Sequence, residues 1–97
     1  LFALVEEDRR RVLEHSGTTV PAVRLFELLP RHPIVSIGFA VKQLGTSKPT
    51  AGRAVDALAN AGVLVEMTGR KRDRSWAYQS YLHRLREGTE IEGNQGR

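Results

Sequence analysis

The sequence predicts a mainly α domain with a small β-hairpin, and three observations point to it. Residues 47–62, SKPTAGRAVDALANAG, carry Ala51, Val55 and Leu58, with Ala54 and Ala61 beside them, at three- and four-residue intervals that make one apolar helical face. Residues 36–46, SIGFAVKQLGT, repeat that logic in miniature just before it. Residues 63–78 then place two strand-like runs about a basic tip, GRKRD. Two short helices joined by a tight turn and followed at once by a basic hairpin make a winged helix-turn-helix.

Residues 1–15 read as a connecting helix, with no Gly or Pro and with Leu1, Leu4, Val5, Val12 and Leu13 around a charged middle. Its acidic half precedes its basic half, which allows Glu6 to meet Arg10 and Glu7 to meet Arg11 four residues on. This charge run reads as a solvated face, and the sparse apolar positions predict packing over part of the helix only. Ser16-Gly17-Thr18-Thr19 breaks it. A second helix over 20–30 has Pro21 in its first turn, Val23, Phe26 and Leu29 on one side, and Leu25 and Leu28 flanking. Arg31-His32-Pro33 ends it, because a residue before proline avoids helical angles.

Ile34-Val35 is a short strand placed to pair with the hairpin. Ser36 caps the first helix of the pair, Ile37, Ala40, Val41 and Leu44 face inward, and Gly45 supplies the turn. Gly38 in that helix costs roughly 1 kcal/mol relative to alanine, and Phe39 is expected on or near the surface, against a further domain or a second copy. In the next helix Ser47 is the N-cap, Pro49 lies in the first turn and Gly62 is the stop, with Lys48, Thr50, Arg53, Ala57 and Asn60 outward.

In the hairpin, alternation groups Val63, Val65 and Met67, yet Leu64 is too apolar to leave wet, so a twist or bulge is expected there. Trp76 and Tyr78 share a face and pack inward rather than stacking on bases. Ser80 caps a last short helix through Leu85, and the Gly-rich, polar stretch 88–97 reads as a disordered tail. The chain therefore divides into a connecting helix (1–16), a winged helix-turn-helix (17–87) and a tail (88–97).

Ninety-seven residues suffice for one modest core, not for a typical catalytic domain with a second module. A net charge of +4 and a pI near 10.1 favour acidic partners, nucleic acid above all. Between residues 69 and 86, Arg70, Lys71, Arg72, Arg74, Arg84 and Arg86 stand against Asp73 alone, so the positive charge is concentrated at the hairpin and beyond. The absence of cysteine excludes a disulfide framework and thiolate metal sites and fits a cytoplasmic protein. No apolar run approaches a membrane span. The chain begins at Leu1 rather than Met, from which a longer parent is expected. His15, His32 and His83 fall on separate elements without carboxylate spacing, and neither a Ser-His-Asp grouping nor a phosphate-cradling glycine loop stands out, so no metal, cofactor or enzyme activity is expected of the segment.

The expected partner is double-stranded DNA. The N-terminal turn of the 47–62 helix would enter the major groove, with Lys48, Thr50 and Arg53 toward base edges or phosphates and Ser47 and Thr46 near the backbone. Arg53 is the candidate for bidentate guanine reading. Arg70, Lys71, Arg72 and Arg74 would meet phosphates or reach a minor groove. The bland alternative is a solvated helix face and a basic hairpin that serves solubility or docks on an acidic protein surface; the other expected partner is a second copy in a homodimer, through Phe39 and the sparse face of the first helix.

VRLFELLPRHPIV, then SKPTAGRAV, then GVL, and finally TGRKRDR with Tyr78 and Tyr81-Leu82, resemble the C-terminal winged-helix region of bacterial Fic-type (Fic/Doc family) proteins. The resemblance spans residues 20–88, and residues 1–15 are similar to the connecting helix that precedes that region. It implies a parent whose upstream Fic domain transfers AMP from ATP to a protein hydroxyl, with this segment as a regulatory DNA-binding module or one that recruits the target. The HxFxDGNGR catalytic loop of that family is absent: His32-Pro33 is followed by Ile34-Val35-Ser36-Ile37-Gly38-Phe39, with no Asp, Asn or Gly-Arg pair.

Overall fold

A computed structural model of the chain describes residues 1–67, 69 and 74–95, the last eight as backbone. The elements in order are α1 (Phe2–Glu14), α2 (Val20–Leu28), β1 (Ile34–Ser36), α3 (Ile37–Leu44), α4 (Lys48–Asn60), β2 (Val65–Glu66), β3 (Ser75–Ala77) and α5 (Gln79–Gln95). The strands form an antiparallel sheet of order β1-β3-β2, with Val35 opposite Trp76 and Glu66 also opposite Trp76 across the other edge. The architecture is a winged helix-turn-helix, and Ile34-Val35 pairs with the hairpin as expected.

The helix ends are set by local chemistry. Thr19, Ser36 and Ser47 each have extended backbone and accept a hydrogen bond from the amide three residues on, at Ala22, Phe39 and Thr50. Gly45, at φ +61°, closes α3, with the Thr46 amide donating to the Val41 carbonyl at 3.2 Å. Gly62, at φ +83°, closes α4, where the amides of Gly62 and Val63 donate to the carbonyls of Ala59 and Leu58 at 3.0 Å each.

α4 lies against both α2 and α3, and the core gathers around it: Leu25, Phe26, Leu29, Ala40, Ala51, Ala54, Val55 and Leu58 are fully buried. Trp76 and Tyr78 are buried as expected. On α2 the innermost line is Ala22, Leu25, Phe26 and Leu29, while Val23 is half-buried.

Several expectations change. Val63 and Leu64 do not begin the strand: the Leu64 amide also donates to the Leu58 carbonyl, at 3.2 Å, so both residues wrap over the end of α4 and are buried. Val65 and Met67 are left exposed, and no bulge is needed to bring Leu64 inside. Ala57 is buried, not outward, because α4 has neighbours on more than one side and its buried arc is wide. Phe39 is half-buried, 4.9 Å from the His32 ring. α5 starts at Gln79, so Ser80 lies in its first turn instead of capping it. The helix continues to Gln95, over positions read as a tail. Residues 96–97 lie outside the described residues.

α1 is held by polar contacts that differ from the expected Glu6–Arg10 and Glu7–Arg11 pairs. Arg9 binds Glu6 at 2.6 Å and grips Glu27 of α2 with two nitrogens at 2.7 and 2.8 Å, its guanidinium 5.8 Å from the Phe26 ring centre. The Arg9 hydrogen bonds hold the Glu27 carboxyl below its usual range. Asp8 was expected in a solvated face, yet it is 4 % exposed and accepts a 2.7 Å hydrogen bond from the Tyr78 hydroxyl. Val5, Asp8 and Val12 share one helical face, which is the pattern that would have found it.

A Cβ added to Gly38 would meet only Ser36 Oγ, at 3.9 Å, and one added to Gly52 meets nothing within 4 Å. Both lie in α-helices without positive φ. Gly38→Ala and Gly52→Ala should each stabilise the domain by about 0.5–1 kcal/mol, read as a Tm rise of roughly 2–8 °C in thermal melts. A fall in Tm would show that the glycines serve the fold itself.

Candidate nucleic-acid interface

The helix-turn-helix is formed by α3, the turn at Gly45-Thr46-Ser47, and α4. Arg24 of α2 donates to the Leu44 carbonyl at 3.4 Å, which satisfies one orphan acceptor at the end of α3 and ties the turn to α2. Sequence reasoning passed over Arg24; it and Glu27 are the two charged side chains on a helix otherwise apolar, which is the signal for it.

The exposed N-terminus of α4 carries a short hydrogen-bonded chain. The Ser47 hydroxyl accepts from the Thr50 amide at 3.3 Å and donates to Thr50 Oγ1 at 3.0 Å. Thr50 Oγ1 also accepts from Arg53 Nη2 at 3.3 Å. With two donors already on that oxygen, the Thr50 hydroxyl hydrogen is left for an outside acceptor. Lys48 and Arg53 are exposed, and the positive end of the helix dipole adds to their charge. Ser47, Thr50 and Arg53 are therefore brought together by hydrogen bonds, and Lys48 is exposed in the same first turn of α4.

The outward line of α4 is Pro49, Arg53, Asp56 and Asn60 rather than a line through Ala57. Asp56 was missed, although its spacing from Arg53 and Asn60 is helical.

Arg74, expected among the phosphate contacts, is engaged elsewhere. Its Nε and Nη2 donate to the Glu66 carboxylate at 2.9 and 2.6 Å, and its guanidinium stands 4.9 Å from the Trp76 ring centre. This fork-to-fork pair spans β2 and the residue before β3, so Arg74 braces the base of the hairpin. Arg70, Lys71 and Arg72 lie outside the described residues, as does Asp73. Among the described residues no helix is long and apolar enough to cross a membrane, and no group of three metal-ligating side chains occurs.

Comparison with protein families matches the HTH DNA binding domain over residues 22–78. That span runs from the first buried residue of α2 to Tyr78. Among solved structures, the chain is similar to the crystal structure of RV1404 from Mycobacterium tuberculosis, at 19 % identity and a TM-score of 0.55, over 98 % of this chain and 72 % of that one. At that identity the likeness is one of fold. The comparison with curated proteins gave no significant match.

Proposed function

Since the chain belongs to the HTH DNA binding domain family, we propose that it binds double-stranded DNA as a regulatory module of a larger, cytoplasmic protein, with the N-terminus of α4 in the major groove. The observation that carries this reading is the Ser47–Thr50–Arg53 hydrogen-bonded chain on an exposed helix end. It holds the Arg53 guanidinium partly ordered before contact, which lowers the entropy lost on binding. Arg53 then reads a guanine edge, while Lys48, Ser47 and Thr50 meet phosphates. Arg70, Lys71 and Arg72 add phosphate contacts from the hairpin, and Arg74 positions that hairpin through Glu66 and Trp76. The resemblance to the C-terminal region of Fic-type proteins supports a parent with an upstream AMP-transferring domain.

A fluorescence-anisotropy titration against a random-sequence duplex and the gene's own upstream region tests this. Salt-sensitive binding with preference for the upstream region is expected, and Arg53→Ala should remove about 1–3 kcal/mol of that preference, roughly 5- to 150-fold. Failure of any duplex to bind at low salt would end the reading.

One observation favours a second reading, in which the module mediates protein interaction or dimerisation. Phe2 and Leu13 of α1 are 79 % and 60 % exposed, and they lie on one side of that helix. Sedimentation of the wild type and of Phe2→Ala decides it: a dimer that Phe2→Ala dissociates supports the second reading, and a monomer at all concentrations removes dimerisation.

A further inference from the structure

Asp56 sits in the middle of the outward line of α4, exposed, between Arg53 and Asn60. Among the described residues it makes no ion pair within 4.0 Å. Two cations near it are already directed elsewhere: Arg53 Nη2 donates to Thr50, and Arg74, which feels the Asp56 charge, forks onto Glu66. A carboxylate thus faces outward from a helix surface whose other charges are positive.

Against DNA this group is repelled by phosphates, and burying it without a donor carries the large cost of an unpaired charge. In the major groove the donors are the exocyclic amines of cytosine and adenine, while guanine and thymine present carbonyl oxygens that repel a carboxylate. The adenine amine stands between two acceptors, its own N7 and the O4 of the paired thymine, whereas the cytosine amine has an acceptor on one side only, the O6 of the paired guanine. Arg53 and Asp56 are three residues apart, about 4.5 Å along the helix axis. That is close to the 3.4 Å spacing of successive base pairs, so the two side chains reach neighbouring pairs.

We propose, resting on the reading in which α4 enters the major groove, that Asp56 is a specificity-determining residue that accepts a hydrogen bond from a cytosine amine at the base pair next to the one read by Arg53. Its second effect is to weaken binding to sequences that lack that amine, which is specificity by exclusion.

The test is selection of duplexes from a randomised library by the full chain, as wild type, Asp56→Asn, Asp56→Ala and Arg53→Ala, with thermal melts to confirm that each variant folds. Wild-type sites are expected to carry a cytosine adjacent to the position whose preference Arg53→Ala abolishes. Asp56→Ala should lose the cytosine preference, with discrimination at that pair falling roughly 5- to 150-fold, and should bind random duplex more tightly. Asp56→Asn should shift the preference toward adenine, the base an amide reads on two atoms. If both Asp56 variants select the wild-type sites while Arg53→Ala does not, the role of Asp56 is overturned and the placement of α4 stands. If the wild type binds no duplex, both fall together.

Discussion

Replacing Tyr78 by alanine is expected to cost about 3–5 kcal/mol, a large share of the roughly 5–15 kcal/mol that holds a small domain together. Tyr78 is fully buried, tilted against Phe26 at 6.0 Å and stacked on Tyr81 at 5.3 Å between ring centres. Its amide donates to the Pro33 carbonyl at 2.7 Å, beside the β1–β3 pairing, and its hydroxyl donates to Asp8. One residue therefore joins the sheet, α2, α5 and α1. Tyr78→Phe isolates the hydroxyl: it leaves a buried carboxylate with only the Arg11 guanidinium, Nη1 3.8 Å away, near it among the described residues, at a cost of about 1.5–3 kcal/mol. Urea unfolding measures both variants, and Tyr78→Phe together with Asp8→Ala should cost less than the sum of the two alone, because the second change removes the group stranded by the first.

The same contact has a pH signature. Burial, and next the hydrogen bond to Asp8, push the Tyr78 hydroxyl well above its ordinary value of 10.0. Above about pH 10 the unfolded chain releases this proton while the folded chain keeps it, so the folded state binds more protons and stability falls as pH rises, by about 1.4 kcal/mol per pH unit. Below that range the contribution is fully present. The wild type minus Tyr78→Phe difference should therefore be constant up to pH 9 and shrink above pH 10. A difference that stays constant to pH 11 would show that the hydroxyl ionises as readily in the folded state as in the unfolded one.

The second large effect is on DNA affinity. If Lys48, Arg70, Lys71 and Arg72 each neutralise one phosphate, the logarithm of affinity falls by about 0.9 per contact per decade of salt, and moving from 50 to 200 mM salt weakens binding on the order of 150-fold. Arg74 is left out of that sum because Glu66 already balances its charge. Arg70→Ala with Arg72→Ala should weaken all duplexes alike and lower the salt slope by about two, whereas Arg74→Ala should leave the slope nearly unchanged and loosen the hairpin. Anisotropy titrations at four salt concentrations distinguish these outcomes; an Arg74→Ala slope reduced by a full contact would place that guanidinium on a phosphate after all.

What the sequence by itself determined is what short-range chemistry controls. Ser36 and Ser47 cap their helices through amides three residues away, and Gly45 and Gly62 end α3 and α4 because positive φ is open to them at no steric cost. The apolar spacing of 51, 55 and 58 placed one face of α4 inward, and the Ser47, Thr50 and Arg53 chain follows from the cap and one helical turn. Only the tertiary structure decided the rest. Asp8 reads as one charge in a charged run until Tyr78, seventy residues on, supplies the hydroxyl that lets it be buried. Arg74 reads as a phosphate ligand until hairpin pairing brings Glu66 within 2.6 Å. Ala57 and Leu64 change sides because neighbouring elements and the end of α4 cover them, not because of their own spacing. Caps and turns are satisfied within about four residues of chain, so local sequence specifies them; burial and ion pairing depend on which distant surface arrives, and that is settled only when the chain has folded.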